Sequence, residues 1–361
     1  MIWLVLVVLV LLFAINIFFL RGEDLSMHDQ PRPQPMGAER EPSSAHRDAV
    51  GRMGEMSGVI DNVSRKEQLQ LLRDYMDNMG MDVPFDGEVI PVDAGAIKGE
   101  WLIPPGADTR NRVLYIHGGA WMMGSPLSHR AITTRYASIT GGAVFSLDYR
   151  LMPENTRQQG IDDCREAYRW ILDNGPGGAE PARDVVISGD SAGGNLTLSL
   201  INWIRDEGLP APTAAVALSP ATDGTFASPS MKENVETDHM LGPMFGKLLK
   251  VPRWILHWIA LFNNRVRPSH PMVSPIYADL SGLPPTLVHV SAHEMLLDDA
   301  VRYVNKARAQ GSPVELQAWN HMLHVWHIFV ADMPEAQEAF AEIEAFIQKV
   351  KDKAAPTEAA A

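Results

Sequence analysis

The chain has 361 residues, 46% of them hydrophobic and 21% charged, the balance of a globular protein with a proper core in one large or two medium domains. Its 31 basic and 44 acidic residues leave a formal charge of −13, which repels phosphate backbones and argues against nucleic acid as a partner. Cys164 is the only cysteine, so an intrachain disulfide is excluded, and no Cys/His spacing argues for a structural metal.

Residues 2–20, IWLVLVVLVLLFAINIFFL, are apolar except for Asn16. As one helix they would reach about 28 Å, close to a bilayer core, so a single membrane anchor over 1–21 is expected. A basic n-region and an A-x-A cleavage site are both missing, which argues against a cleaved signal. Arg21, Arg32 and Arg40 follow the stretch and no basic residue precedes it, which favours a cytoplasmic-facing body.

Residues 22–58 contain QPRPQPMGAEREPSS, with no apolar period, and read as a flexible linker. From Ser64 a helical pattern begins, with Leu69, Leu72, Tyr75, Met76 and Met79 at steps of three and four and a capping box at Ser64 and Glu67. Short β-rich runs then alternate with helical stretches near 130–140, 157–174, 192–207 and 295–310. The runs are EVIPV, RVLYIHG, AVFSLDYR, DVVISGD, TAAVALSP, TLVHVSA and VELQAW. This alternation predicts an α/β domain over 59–361, its mostly parallel sheet covered by helices on both faces. It breaks only between about 223 and 274, an insertion rich in Trp, Met and Phe. That insertion and the segment near 59–85 are expected to form a helical cap.

The strand DVVIS runs into Gly189-Asp190-Ser191-Ala192-Gly193 and a helix follows, which is the setting of a G-x-S-x-G nucleophile elbow. Upstream, His117-Gly118-Gly119-Ala120-Trp121 follows the strand RVLYI, and paired glycines there allow backbone donors to approach a substrate. With these two motifs, DYRLMPE (148–154), SPIYADLSGLPP (274–285) and HEMLLDD (293–299), the chain from about 64 to 350 resembles the hormone-sensitive-lipase family of α/β-hydrolases.

The resemblance implies an oxyanion hole made by the N–H groups of Gly118, Gly119 and Ala192. The family pattern is usually H-G-G-G, and Ala120 stands at its third glycine. His117 matches the motif histidine that supports the loop and transfers no proton. A base and an acid should follow Ser191 in the chain. Among His321, His324 and His327, the family's M-x-H-V-F/W segment selects His324. The three-residue spacing of these histidines also suggests metal ligands, but no carboxylate is placed among them. For the acid, D/E-x-L-x-D aligns Glu294 with the catalytic position, and Asp298 is the alternative. Asp298 and Asp299 are expected in the first turn of the next helix. Asp148, Tyr149, Arg150 and Glu154 match the family's DYRLAPE and are expected to brace the active-site loops by ion pairing and hydrogen bonding rather than to touch substrate.

The implied activity is carboxylic ester hydrolysis through an acyl-enzyme, on short- to medium-chain or lipophilic esters, with no cofactor. Amide or formamide hydrolysis by the same residues, as in arylacetamide deacetylases, is the alternative. A non-catalytic ligand receptor on this fold is disfavoured because Ser191, His324 and an acid are all present. Members of the family often form homodimers.

Overall fold

The computed structural model describes residues 2–60 and 63–354. Its centre is an eight-stranded sheet: β1 (Glu88–Ala94), β2 (Ile97–Ile103), β3 (Asp108–Ile116), β4 (Gly142–Leu147), β5 (Asp184–Asp190), β6 (Ala214–Leu218), β7 (Thr286–Ser291) and β8 (Val314–Trp319). The spatial order is β1-β2-β4-β3-β5-β6-β7-β8. The pairs β1–β2 and β2–β4 are antiparallel and the other pairs are parallel. β4, β6 and β7 are buried along their whole length, as parallel strands covered on both faces must be.

Helices α4 (Arg130–Thr140) and α11 (Pro334–Ala354) cover one face; α5 (Arg157–Asp173), α6 (Ala192–Asp206) and α10 (Leu297–Ala309) cover the other. The expected helices near 130, 157, 192 and 295 are therefore α4, α5, α6 and α10. β2 was hidden from pattern reading because Lys98, Gly99 and Glu100 interrupt its apolar residues, although Trp101 and Leu102 are buried. Helix α3 (Arg65–Met81) starts with the capping box at Ser64 and Glu67 that its sequence implies. Between β6 and β7 lies the cap insertion, with short helices α7 (Ser230–Glu233) and α8 (Leu241–Phe245) and the longer α9 (Arg253–Asn264).

The N-terminal segment departs from expectation in two ways. First, the apolar stretch is α1 (Ile2–Ile15) followed by a π-helical turn, Asn16–Leu20, and no helix among the described residues is long and apolar enough to cross a membrane. At 1.5 Å per residue, α1 reaches about 21 Å against a hydrocarbon core of about 30 Å. The last turn is claimed by the body instead. Asn16 and Leu20 are buried, Asn16 Nδ2 donates to Trp254 O at 3.1 Å and meets His257 Nδ1 at 3.0 Å, and His257 Nε2 lies 3.0 Å from Thr225 O.

Second, the expected linker is docked against the body of the domain. Gly22 has φ +76°, and a Cβ there would lie 2.6 Å from the Tyr277 ring. Leu25 enters the main core. Glu23, Asp29 and Arg32 then pair in turn with Lys306 (2.9 Å), Arg302 (2.5 Å) and Asp298 (2.8 Å), residues four apart along α10. Met36 N donates to Ala318 O at 2.8 Å and Met36 O accepts from Asn320 N at 3.0 Å, adding one parallel bridge beside β8. Helix α2 (Ser44–Ile60) follows, so the expected domain boundary after residue 58 falls inside a helix.

Candidate active site

The elbow places Ser191 at a backbone conformation of φ 52°, ψ −113°, between β5 and α6. A small residue is needed two positions to either side of it. A Cβ on Gly193 would lie 1.9 Å from Ile116 O, and one on Gly189 would lie 2.5 Å from both Ile116 O and Gly193 O. The strain at Ser191 is held by Ser191 N donating to Leu218 O at 2.7 Å and Asn195 N donating to Ser191 O at 3.0 Å.

His324 lies on the loop after β8. Its Nε2 is 2.9 Å from Ser191 Oγ and its Nδ1 is 2.9 Å from Glu294 Oε2. The loop is pinned by Ser291 Oγ donating to Met322 O (2.6 Å) and Val325 N donating to Ser219 Oγ (3.2 Å). Glu294 is fully buried just past β7. Burial pushes its carboxyl above the ordinary range, against the lowering effect of His324 beside it. Burial alone would depress His324, but the charge and hydrogen bond of Glu294 outweigh it and hold the imidazole above its usual value.

Asp298 has a different job. It is fully buried on the first turn of α10, pairs with Arg32 and accepts from Ser230 N at 2.8 Å. Asp299 accepts from the N–H groups of Thr222 (2.7 Å) and Asp223 (2.9 Å) and binds the Ser228 hydroxyl. Nor do the three histidines after β8 converge. His321 stacks on His293 with centroids 4.6 Å apart, and His327 Nε2 meets His289 Nδ1 at 3.0 Å. His117 is fully buried against Tyr149, its Nδ1 lies 2.8 Å from Gly118 O, and burial pushes it down to about 3. It is therefore neutral at physiological pH and makes no hydrogen bond to Ser191, His324 or Glu294.

The expected oxyanion donors need one correction. Gly118 N donates to Asp190 Oδ1 at 2.9 Å, so its N–H is already spent. Asp190 is buried and is held in place by Tyr115 Oη (2.6 Å) and His129 Nε2 (3.3 Å). By contrast, the N–H groups of Gly119, Ala120 and Ala192 have no acceptor among the described residues. Ala120 adopts φ 54°, and the Trp121 indole donates to Ala192 O at 3.2 Å, tying the loop after β3 to the start of α6. Gly119 is required where it stands, because its Cβ would lie 2.2 Å from Met123 O.

Sequence reasoning missed several supports. Asp238, from the cap, accepts from Met295 N (2.9 Å) and Leu241 N (2.8 Å), and Asn234 Nδ2 donates to Glu294 O at 2.9 Å. This insertion thus grips the peptide unit after the acid, and Thr237 Oγ1 donating to His293 O at 2.9 Å holds the one before it. In the DYRLMPE segment Arg150 pairs with Asp163 at 2.6 Å, Glu154 pairs with Arg73 at 2.9 Å and Tyr149 Oη donates to His117 O at 3.0 Å, whereas Asp148 forms no ion pair among the described residues. Arg73 Nε also donates to Met122 O at 2.8 Å, which joins α3 to the 117–124 loop.

The family profile described as alpha/beta hydrolase fold matches residues 113–328. An acetyl-hydrolase of Streptomyces hygroscopicus is 35% identical over 262 residues, covering 73% of this chain and 82% of the relative. An esterase of Acinetobacter venetianus is 34% identical over 259 residues, covering 72% and 81%. Among solved structures, an esterase from the bacterial hormone-sensitive lipase family superposes with a TM-score of 0.71 at 33% identity, covering 84% of this chain and 98% of that one. Fold, elbow and relatives agree, and the chain belongs to the hormone-sensitive-lipase family of α/β-hydrolases, a serine esterase by descent.

Proposed function

We propose that the protein hydrolyses carboxylic esters through an acyl-enzyme on Ser191, with His324 as base and Glu294 as the carboxylate that orients it. The observation that carries this reading is the unbroken relay from Glu294 through His324 to Ser191, 2.9 Å at each step. His324 takes the serine proton as Oγ attacks the ester carbonyl. The N–H groups of Gly119, Ala120 and Ala192 face the developing oxyanion, His324 protonates the departing alcohol, and water then repeats the sequence on the acyl-enzyme. Each oxyanion donor contributes roughly 3–4 kcal/mol by the usual effect of deleting one.

In this reading the substrates are short- to medium-chain or lipophilic esters. The exposed apolar side chains of α1, Trp3 and Phe13 among them, attach the protein to a lipid surface, with the body on the cytoplasmic side. The test is hydrolysis of p-nitrophenyl esters from acetate to palmitate by the full chain, with Ser191→Ala as control. Turnover that peaks at short or medium chains and falls by about 10⁴-fold or more in the variant supports the proposal. Folded protein without Ser191-dependent turnover on any of these esters overturns it, and arylamides become the next substrates to assay.

A further inference from the structure

Arg157 is the first residue of α5, behind the oxyanion loop, and only 4% of it is exposed. Its guanidinium stacks on the Trp121 ring, with Cζ 3.5 Å from the centroid, and Nη2 donates to Asn195 Oδ1 at 2.7 Å. Nε and Nη1 have no hydrogen-bond partner, and no carboxylate among the described residues pairs with it. Burial pushes the group down to about 9, which still leaves it protonated at neutral pH. The positive end of its own helix is a further unfavourable neighbour for a cation. For stability alone, a leucine or methionine would serve this place better, because a buried charge without a counter-ion is costly.

The two groups that Arg157 does touch belong to the two halves of the oxyanion hole. Trp121 follows Gly119 and Ala120 directly, and its indole donates to Ala192 O. Asn195 sits in the first turn of α6. It is bonded through its N–H to Ser191 O and through Nδ2 to Ala221 O (2.6 Å) and Val273 O (2.9 Å). The charge therefore lies one side chain behind both donor segments, in a region that excludes water. A fixed cation placed there lowers the energy of an anion forming between the segments, because low polarizability around it leaves its field poorly screened.

We propose that Arg157 is a positioning residue whose unpaired charge supports the oxyanion hole, locking Trp121 and Asn195 together and favouring the tetrahedral intermediate over the bound ester. The proposal rests on the acyl-transfer reading above. The charge matters most when the carbonyl oxygen is negative, so its removal lowers kcat with little change in KM.

The experiment uses the full chain and p-nitrophenyl butyrate, with Arg157→Met, Arg157→Gln and Arg157→Lys. Thermal melting and the affinity of a trifluoromethyl ketone, which forms an oxyanion on the serine, are measured in parallel. Met and Gln are expected to lower kcat 10- to 100-fold, weaken the ketone by a similar factor, and leave KM within about twofold and Tm unchanged or raised. Lys, which keeps the charge, is expected to recover most of the loss. Unchanged kcat in either folded uncharged variant overturns the proposal. So does a loss that Lys fails to recover and that tracks a fallen Tm, which would mark a packing brace only. If the wild-type chain itself shows no Ser191-dependent turnover and no labelling by a fluorophosphonate, the acyl-transfer reading falls first. Normal wild-type chemistry with unaffected Arg157 variants removes this proposal alone.

Discussion

Glu294 and Asp298 are four residues apart, both fully buried, and only their partners tell them apart. Glu294 faces an imidazole, whereas Asp298 faces a guanidinium and a backbone amide. Glu294→Gln is expected to lower kcat by about 10³–10⁴-fold, because the amide no longer favours the working tautomer or the imidazolium of His324. Asp298→Asn should leave kcat within about tenfold and lower the melting temperature. Steady-state kinetics beside thermal melts separate the two, and the reverse pattern would make Asp298 the acid.

The pH profile follows from the same pair. The proposed base must be neutral to act, and Glu294 holds His324 above its ordinary value near 6.5. The acid limb of kcat/KM is therefore expected above pH 6.5, and in Glu294→Gln the residual activity should have its limb at lower pH. The same shift stabilises the fold fully below pH 6.5, and this stability is lost as pH rises through the raised folded value. The relay that joins Ser191, His324 and Glu294 was legible in the sequence because each sits in a short motif at a strand end. That the Gly118 N–H is taken up was not legible, because it depends on Asp190, whose side chain reaches it from a different strand.

At the scale of elements, the parallel strands and their helices could be read from apolar runs and periods. The docking of residues 22–43 could not. Its composition is that of a linker, and only the three-dimensional placement of α10 shows that Glu23, Asp29 and Arg32 meet Lys306, Arg302 and Asp298 in order. Arg302 is the middle rung and is almost wholly buried. Arg302→Ala is expected to cost about 1–3 kcal/mol, less than the ~3–5 of a fully enclosed pair because Asp29 keeps some contact with water. Limited trypsin digestion checks this: cleavage after Arg21 should be slow in the wild type and several-fold faster in the variant. Equal rates would mean that the segment is held by Leu25 and Gly22 rather than by charge.

For the whole molecule, the exposed apolar side chains concentrate on α1, where Trp3 is 80% and Phe18, just beyond, is 87% exposed. More lie on α9, where Phe262 is 74% exposed, and α9 is the helix that Asn16 bonds to. A body of charge −13 gains nothing from anionic lipid, so association through these residues should be strong on neutral phosphatidylcholine vesicles and insensitive to salt. Flotation of the full chain with such vesicles, lost when residues 2–15 are removed, is the expected outcome. Full recovery of the shortened chain with the vesicles would assign the attachment elsewhere.

With α1 on a lipid surface as proposed, the docked segment after Leu20 would also fix how far the catalytic body can reach. A free coil of the same length would let the catalytic body swing through a wide volume and meet esters at many depths of the surrounding water. Clamped from Gly22 to Met36, the body instead keeps one height and one tilt relative to α1. Turnover would then depend on which molecules present their ester at that level, a choice made by geometry before any contact with Ser191.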